Sequence, residues 1–102
     1  MYNITASQDA HDDADEIVNY IAFVLNNPPA ANSFLTDLEN CYITLANNPL
    51  IYTLCDDENL KLKGYRKVAI KNYLVFYRVD EVAQTVFIVR IIYSGRDYVN
   101  ML

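Results

Sequence analysis

The sequence predicts an α+β domain in the order β-α-α-β-β-β, with a helical hairpin packed on one face of a small, mostly antiparallel sheet. Two observations carry that reading. Apolar residues recur at steps of three and four from Ala10 to Leu45, the period of helices that bury one stripe. From Tyr65 onward the pattern turns to period two or to unbroken apolar runs rich in Val, Ile, Tyr and Phe, the text of strands. At 102 residues the chain is one domain's worth, residues 1–102, and 53% hydrophobic residues describe a folded globular chain.

Each element has its own signal. Tyr2 to Ala6 alternate weakly and read as a short first strand. Ser7 offers a helix cap, and Asp9, Asp12 and Asp13 follow where a helix N-terminus favours negative charge. Ala10, Ala14, Ile17, Ile21 and Leu25 then form one stripe of an amphipathic helix with an acidic outer face. Asn26-Asn27-Pro28-Pro29 stops it, and Pro29 suits the first turn of a second helix with the stripe Ala31, Phe34, Leu38, Cys41 and Leu45. The link is short, so the two helices run antiparallel, until Asn47-Asn48-Pro49 ends the second. Cys41 on this stripe reads as a small buried hydrophobe.

Residues 50–63 show no period, and Cys55 to Asn59 read as a polar acidic loop. Three strands follow, Tyr65–Lys71, Tyr73–Val79 and Thr85–Tyr93, with a tight turn at Asn72 and a five-residue loop from Asp80 to Gln84. Gly95 opens a last short segment, Arg96 to Leu102. In the last two strands odd and even positions are equally apolar, yet a helical hairpin covers one face only. Either the C-terminal tail and sheet curvature cover the other face, or a partner chain does.

Charge is divided along the chain. Residues 1–60 hold ten acids and no Lys or Arg, whereas residues 61–102 hold all eight bases and three acids, so the halves carry −10 and +5. Six of the eight bases lie between Lys61 and Val79, in a block that otherwise reads as strand. Such asymmetry suggests two faces with different partners.

Most enzyme classes find no support. There is no Gly-rich phosphate loop, nucleophile elbow, H-E-x-x-H or C-x-x-C. His11 is the only histidine and reads as a solvated residue of the first helical turn. Asp12, Asp13, Asp15 and Glu16 point in different directions on a helix and read as a solvated face rather than a cation site; no metal and no cofactor are implied. Cys41 and Cys55 lack zinc-like spacing and suit a reducing cytoplasm. The N-terminus shows no signal peptide, and no stretch reaches the roughly 18 apolar residues of a membrane span. What remains is a basic, tyrosine-rich sheet, able to contact phosphates and bases, to stabilise charge in RNA cleavage, or to dock an acidic peptide.

The order of elements and the text of several segments resemble the RelE/ParE superfamily of bacterial type II toxin–antitoxin toxins, also called plasmid-stabilisation proteins. The resemblance spans nearly the whole chain. It rests on Thr5-Ala6-Ser7, Asp15 to Ile21, Asn27-Pro28-Pro29-Ala30-Ala31, Leu45 to Pro49, Gly64 to Lys67, Asn72 to Val79 and Val89 to Tyr98. It implies a cytoplasmic bacterial toxin, held inactive in a hetero-oligomer by an antitoxin that wraps around it. RelE-like members are mRNA interferases that cut messenger RNA in the ribosome, and ParE-like members poison DNA gyrase. Arg66 or Lys67, with Arg96 and Tyr98, are the candidate catalytic residues of the nuclease reading. Lys61, Lys63, Lys71, Arg78, Arg90 and Tyr93 are the candidate contacts with target or antitoxin. Arg78 and Arg90 either meet across the sheet or are solvated at its edge or paired with Asp80 or Glu81. Leu74 stands where the nuclease pattern has arginine, and the charge of −5 disfavours general RNA binding. The ParE branch is the closer match; a degenerate toxin kept for antitoxin binding is the third reading.

Overall fold

The computed structural model describes residues 1–102. Four strands, β1 (Asn3–Ala6), β2 (Arg66–Ile70), β3 (Tyr73–Asp80) and β4 (Thr85–Tyr93), form one sheet in the order β1-β4-β3-β2. β1 lies parallel to β4, and the other two pairings are antiparallel. Helices α1 (Gln8–Asn19) and α2 (Pro28–Asn47) pack on one face. The α+β class and the helical hairpin are as expected, with one helix more than the sequence suggested.

Ser7 caps α1, its Oγ accepting the Ala10 N–H at 3.0 Å. Ala10, Ile17 and Ile21 enter the core beside Phe34, Leu38 and Leu45 of α2 and Val75, Val86 and Ile88 of the sheet. After Asn19 the chain widens into a single π turn, Tyr20–Val24, closed by the Leu25 N–H on the Tyr20 carbonyl at 3.0 Å. The i→i+5 bond shifts the helical phase. Leu25, expected on the buried stripe, is therefore exposed, with Phe23 and Val24 beside it. Asn27 caps α2 and Pro28 opens it. Cys41 is half-buried rather than fully so, and burial pushes its thiol up to about 11.

The extra helix is α3 (Glu58–Leu62), where an acidic loop was expected. Asp57 caps it, its carboxylate accepting the Leu60 N–H at 3.0 Å. Gly64, at φ +81, ends it with the Gly64 N–H on the Lys61 carbonyl and the Tyr65 N–H on the Leu60 carbonyl. The basic block is thus not one strand: Lys61 lies in α3 and Lys63 caps its C-terminus. Lys71 leaves the strand as well and forms the two-residue turn with Asn72, at φ 52. Asp80 stays in β3 opposite Thr85, so the hairpin loop is Glu81–Gln84.

The second face of the sheet is closed by the chain itself. Cys55, Leu60, Phe76 and Ile92 are buried together, flanked by Tyr65, Leu74, Tyr98, Met101 and Leu102. α3 and the C-terminal 3₁₀ turn Tyr98–Met101 supply this cover. Of the two readings open in the sequence, burial by the tail accounts for this part of the face.

Candidate functional site

Register decides which candidates share a face. Lys67 lies opposite Phe76, which is buried with Cys55 and Leu60, so these two side chains leave the sheet on the side away from the helices. There the Lys67 Nζ donates to the Tyr98 hydroxyl at 3.3 Å and sits 5.3 Å from the Tyr98 ring centroid. The Tyr98 ring packs at 5.0 Å on Phe76. Lys67 and Tyr98 therefore come together, as a cation held by an aromatic ring above an apolar floor. An ammonium and a phenol so placed can bind an anion or relay a proton.

The other two catalytic candidates do not join them. Arg66 faces the helices, and its Nη1 donates to the Tyr52 carbonyl at 2.6 Å. Arg96 lines a cleft of about 650 Å³ between α1 and the tail, with Tyr20, Tyr73 and Tyr93. The Tyr73 and Tyr93 rings meet edge to face at 6.0 Å. Burial, with the neighbouring Tyr20 and Tyr93 hydroxyls, pushes the Tyr73 hydroxyl above its ordinary value. Tyr93 owes its pose to Gly95, where an added Cβ would come within 2.6 Å of the ring.

Arg78 and Arg90 do not meet: Arg78 lies opposite Phe87, and Arg90 opposite Phe76. Arg78 forms no ion pair with Asp80 or Glu81. Its guanidinium instead sits 5.6 Å from the Tyr65 ring centroid. Arg78 and Arg66 line a second cleft, at the β3–β4 loop, with Leu50, Leu54, Val82 and Phe87. Lys71 pairs with Asp37 of α2 at 3.3 Å.

Arg90 is held by Asp13 through two hydrogen bonds, Nε to Oδ2 at 2.8 Å and Nη2 to Oδ1 at 3.0 Å. That bonding raises the guanidinium above its ordinary value. Asp13 also accepts the Ile91 N–H at 2.9 Å. Asp13 thus leaves the solvated acidic face expected of it and closes a structural contact, so Arg90 is a committed residue rather than a free one. The sequence held a signal for this: Ala10, Asp13 and Ile17 step by three and four along the buried stripe. His11 is exposed, and no group of three His, Cys, Asp or Glu side chains gathers to hold a metal.

Of the eight bases only Lys71 and Arg90 have a carboxylate within 4.0 Å, in a protein of net charge −5. Those without a carboxylate partner are Lys61, Lys63, Arg66, Lys67, Arg78 and Arg96. No helix is long and apolar enough to cross a membrane.

Residues 4–98 match the family described as ParE toxin of type II toxin-antitoxin system, parDE. The chain belongs to this family. Solved structures share its fold. A chain of the chromosomal ParDE system of P. aeruginosa superposes with a TM-score of 0.71 at 20% identity, over 91% of this chain and 96% of that one. The RelBE2 toxin–antitoxin complex of Mycobacterium tuberculosis gives 0.63 at 20% identity, over 90% and 96%. A metal-bound toxin of Helicobacter pylori gives 0.66 at 23% identity, over 91% and 94%. No curated protein matches the sequence. The chain is a ParE-type toxin of a type II toxin–antitoxin system.

Proposed function

We propose that this ParE-type toxin acts in the bacterial cytoplasm by gripping DNA gyrase, without bond chemistry of its own, and that a cognate antitoxin neutralises it in a hetero-oligomer. The family match over residues 4–98 carries the reading. The face that carries Lys67 supports it. Leu74, at the position where the nuclease pattern has arginine, packs into the apolar cluster under Tyr98 and Met101. Arg66 and Arg96 stand apart from the Lys67–Tyr98 pair. An acidic antitoxin segment suits the six bases that have no carboxylate partner.

Expression without the antitoxin tests it. Growth arrest with gyrase-dependent DNA breaks and intact transcripts is the expected result. Codon-phased transcript cuts would replace this reading with the ribosome-dependent mRNA interferase, which the contact between Lys67 and Tyr98 favours. In that case Tyr98→Phe lowers cleavage about a hundredfold or more, the lower range for losing a general acid or base. Absence of any arrest identifies a degenerate toxin kept for antitoxin binding.

A further inference from the structure

The cleft of about 650 Å³ between α1 and the tail is built like a small-molecule site. Ligand pockets run from about 300 to 1,000 Å³ and combine apolar walls with a few convergent polar groups. Here Ile17, Leu25 and Met101 contribute apolar wall, and Tyr20, Tyr73 and Tyr93 contribute aromatic wall.

Both walls are shaped by local exceptions in the chain. On the α1 side the π turn brings Tyr20 and Leu25 to the cleft, joined by the Leu25 N–H on the Tyr20 carbonyl. Single π turns recur at functional sites. On the other side Gly95 makes room for the Tyr93 ring, which an added Cβ would meet at 2.6 Å. Tyr20 and Tyr93 are 49% and 50% exposed, which leaves ring surface open for stacking.

The charges of the cleft divide into two kinds. Asp13, Glu16, Arg90 and Arg96 line it. Asp13 and Arg90 neutralise each other. Glu16 adds to the negative field at Arg90 but forms no ion pair with it, and Arg96 forms no ion pair at all. Glu16 stands on α1 and Arg96 follows β4, so an uncommitted carboxylate and an uncommitted guanidinium come from different walls.

We propose that this cleft binds a guanine mononucleotide, with the base against Tyr20 and Tyr93, its N1–H and N2 amino group donating to Glu16, and its phosphate on Arg96. The lining narrows the ligand in steps. Open tyrosine faces beside apolar wall take a flat aromatic body. A carboxylate accepts donors in pairs, and guanine presents two side by side on one edge, whereas adenine sets a single amino group next to an acceptor. A guanidinium binds phosphate oxygens through two parallel hydrogen bonds. The Tyr73 hydroxyl, held protonated by burial, is a further donor. The site is separate from the Lys67–Tyr98 pair, and the proposal goes beyond the choice of gyrase or ribosome as target.

Isothermal titration of the full chain with GMP, AMP and inorganic phosphate tests it. One GMP per chain is expected, bound about tenfold more tightly than AMP, with phosphate weaker than both. Glu16→Gln keeps the shape but turns one acceptor into a donor, so it should bring GMP down to the level of AMP. Arg96→Ala should weaken both nucleotides about tenfold and keep the preference for GMP. Arg78→Ala, in the other cleft, should bind GMP as the native chain does. Equal binding of GMP and AMP by the native chain, or GMP no tighter than phosphate, overturns the assignment. So does a loss in Arg78→Ala that equals the loss in Arg96→Ala. Glu16 and Arg96 are exposed, so their variants keep the fold, and the comparison of ligands on the native chain needs no variant.

Discussion

Where β1 stops at Ala6, β4 runs on, and the chain finishes that margin itself. The Ser7 hydroxyl donates to the Val89 carbonyl at 2.7 Å, and the Asp13 carboxylate accepts the Ile91 N–H while gripping Arg90. A bulge assists: Tyr77 pairs with Ile88 but Phe76 with Arg90, which leaves Val89 as the extra residue. The β2 margin is treated in the opposite way, with Leu54 pairing once and the rest left bare. Both margins present the same backbone chemistry, yet one is sealed by buried side chains and the other is guarded only by its shortness and by Lys67 and Lys71. A sealed edge belongs to folding; an open one leaves its backbone donors and acceptors to solvent.

Substitutions can break or sharpen this contrast. Asp13→Ala removes the acceptor of the Ile91 N–H and leaves Arg90 half-buried without its carboxylate. A loss of about 3 kcal/mol is expected, measured by urea unfolding. Asp12→Ala, on the exposed side of the same helix, should stay within about 0.5 kcal/mol of the native chain. Ser7→Ala removes both the cap of α1 and the bond to Val89, for about 1–2 kcal/mol by the same measurement. On the open margin, Lys71→Ala breaks an ion pair whose side chains are 48% and 44% exposed, so its loss should be about 0.5 kcal/mol in low salt and vanish in high salt. If Lys71→Ala matched Asp13→Ala, the β2 margin would be structural and the contrast would fail.

The regular elements were legible because their apolar spacing is long and consistent: α1, α2 and the three later strands fall within a few residues of the sequence reading. Three features were not. α3 has five residues, too few for a period, and only Asp57 and Gly64 at its ends announce it. The π turn carries no composition of its own, and it put Leu25 off the stripe it continued in sequence. The role of Asp13 depends on a residue 77 positions away, which local spacing does not specify. The same limit applies to the site. Alternation separated Arg66 from Lys67, but only tertiary packing put Lys67 beneath Tyr98 and sent Arg96 to a different cleft.

The parallel pairing of β1 with β4 has a consequence for synthesis. Asn3 meets Thr85 and Ala6 meets Ile88, so the first strand waits for nearly the last one. Val86 and Ile88, fully buried at the centre of the core, are translated only after both helices have emerged. Contacts of such long sequence separation form late. A nascent chain up to β3 can close neither the core nor the β4 margin, so the folded toxin comes into being only once β4 has been translated.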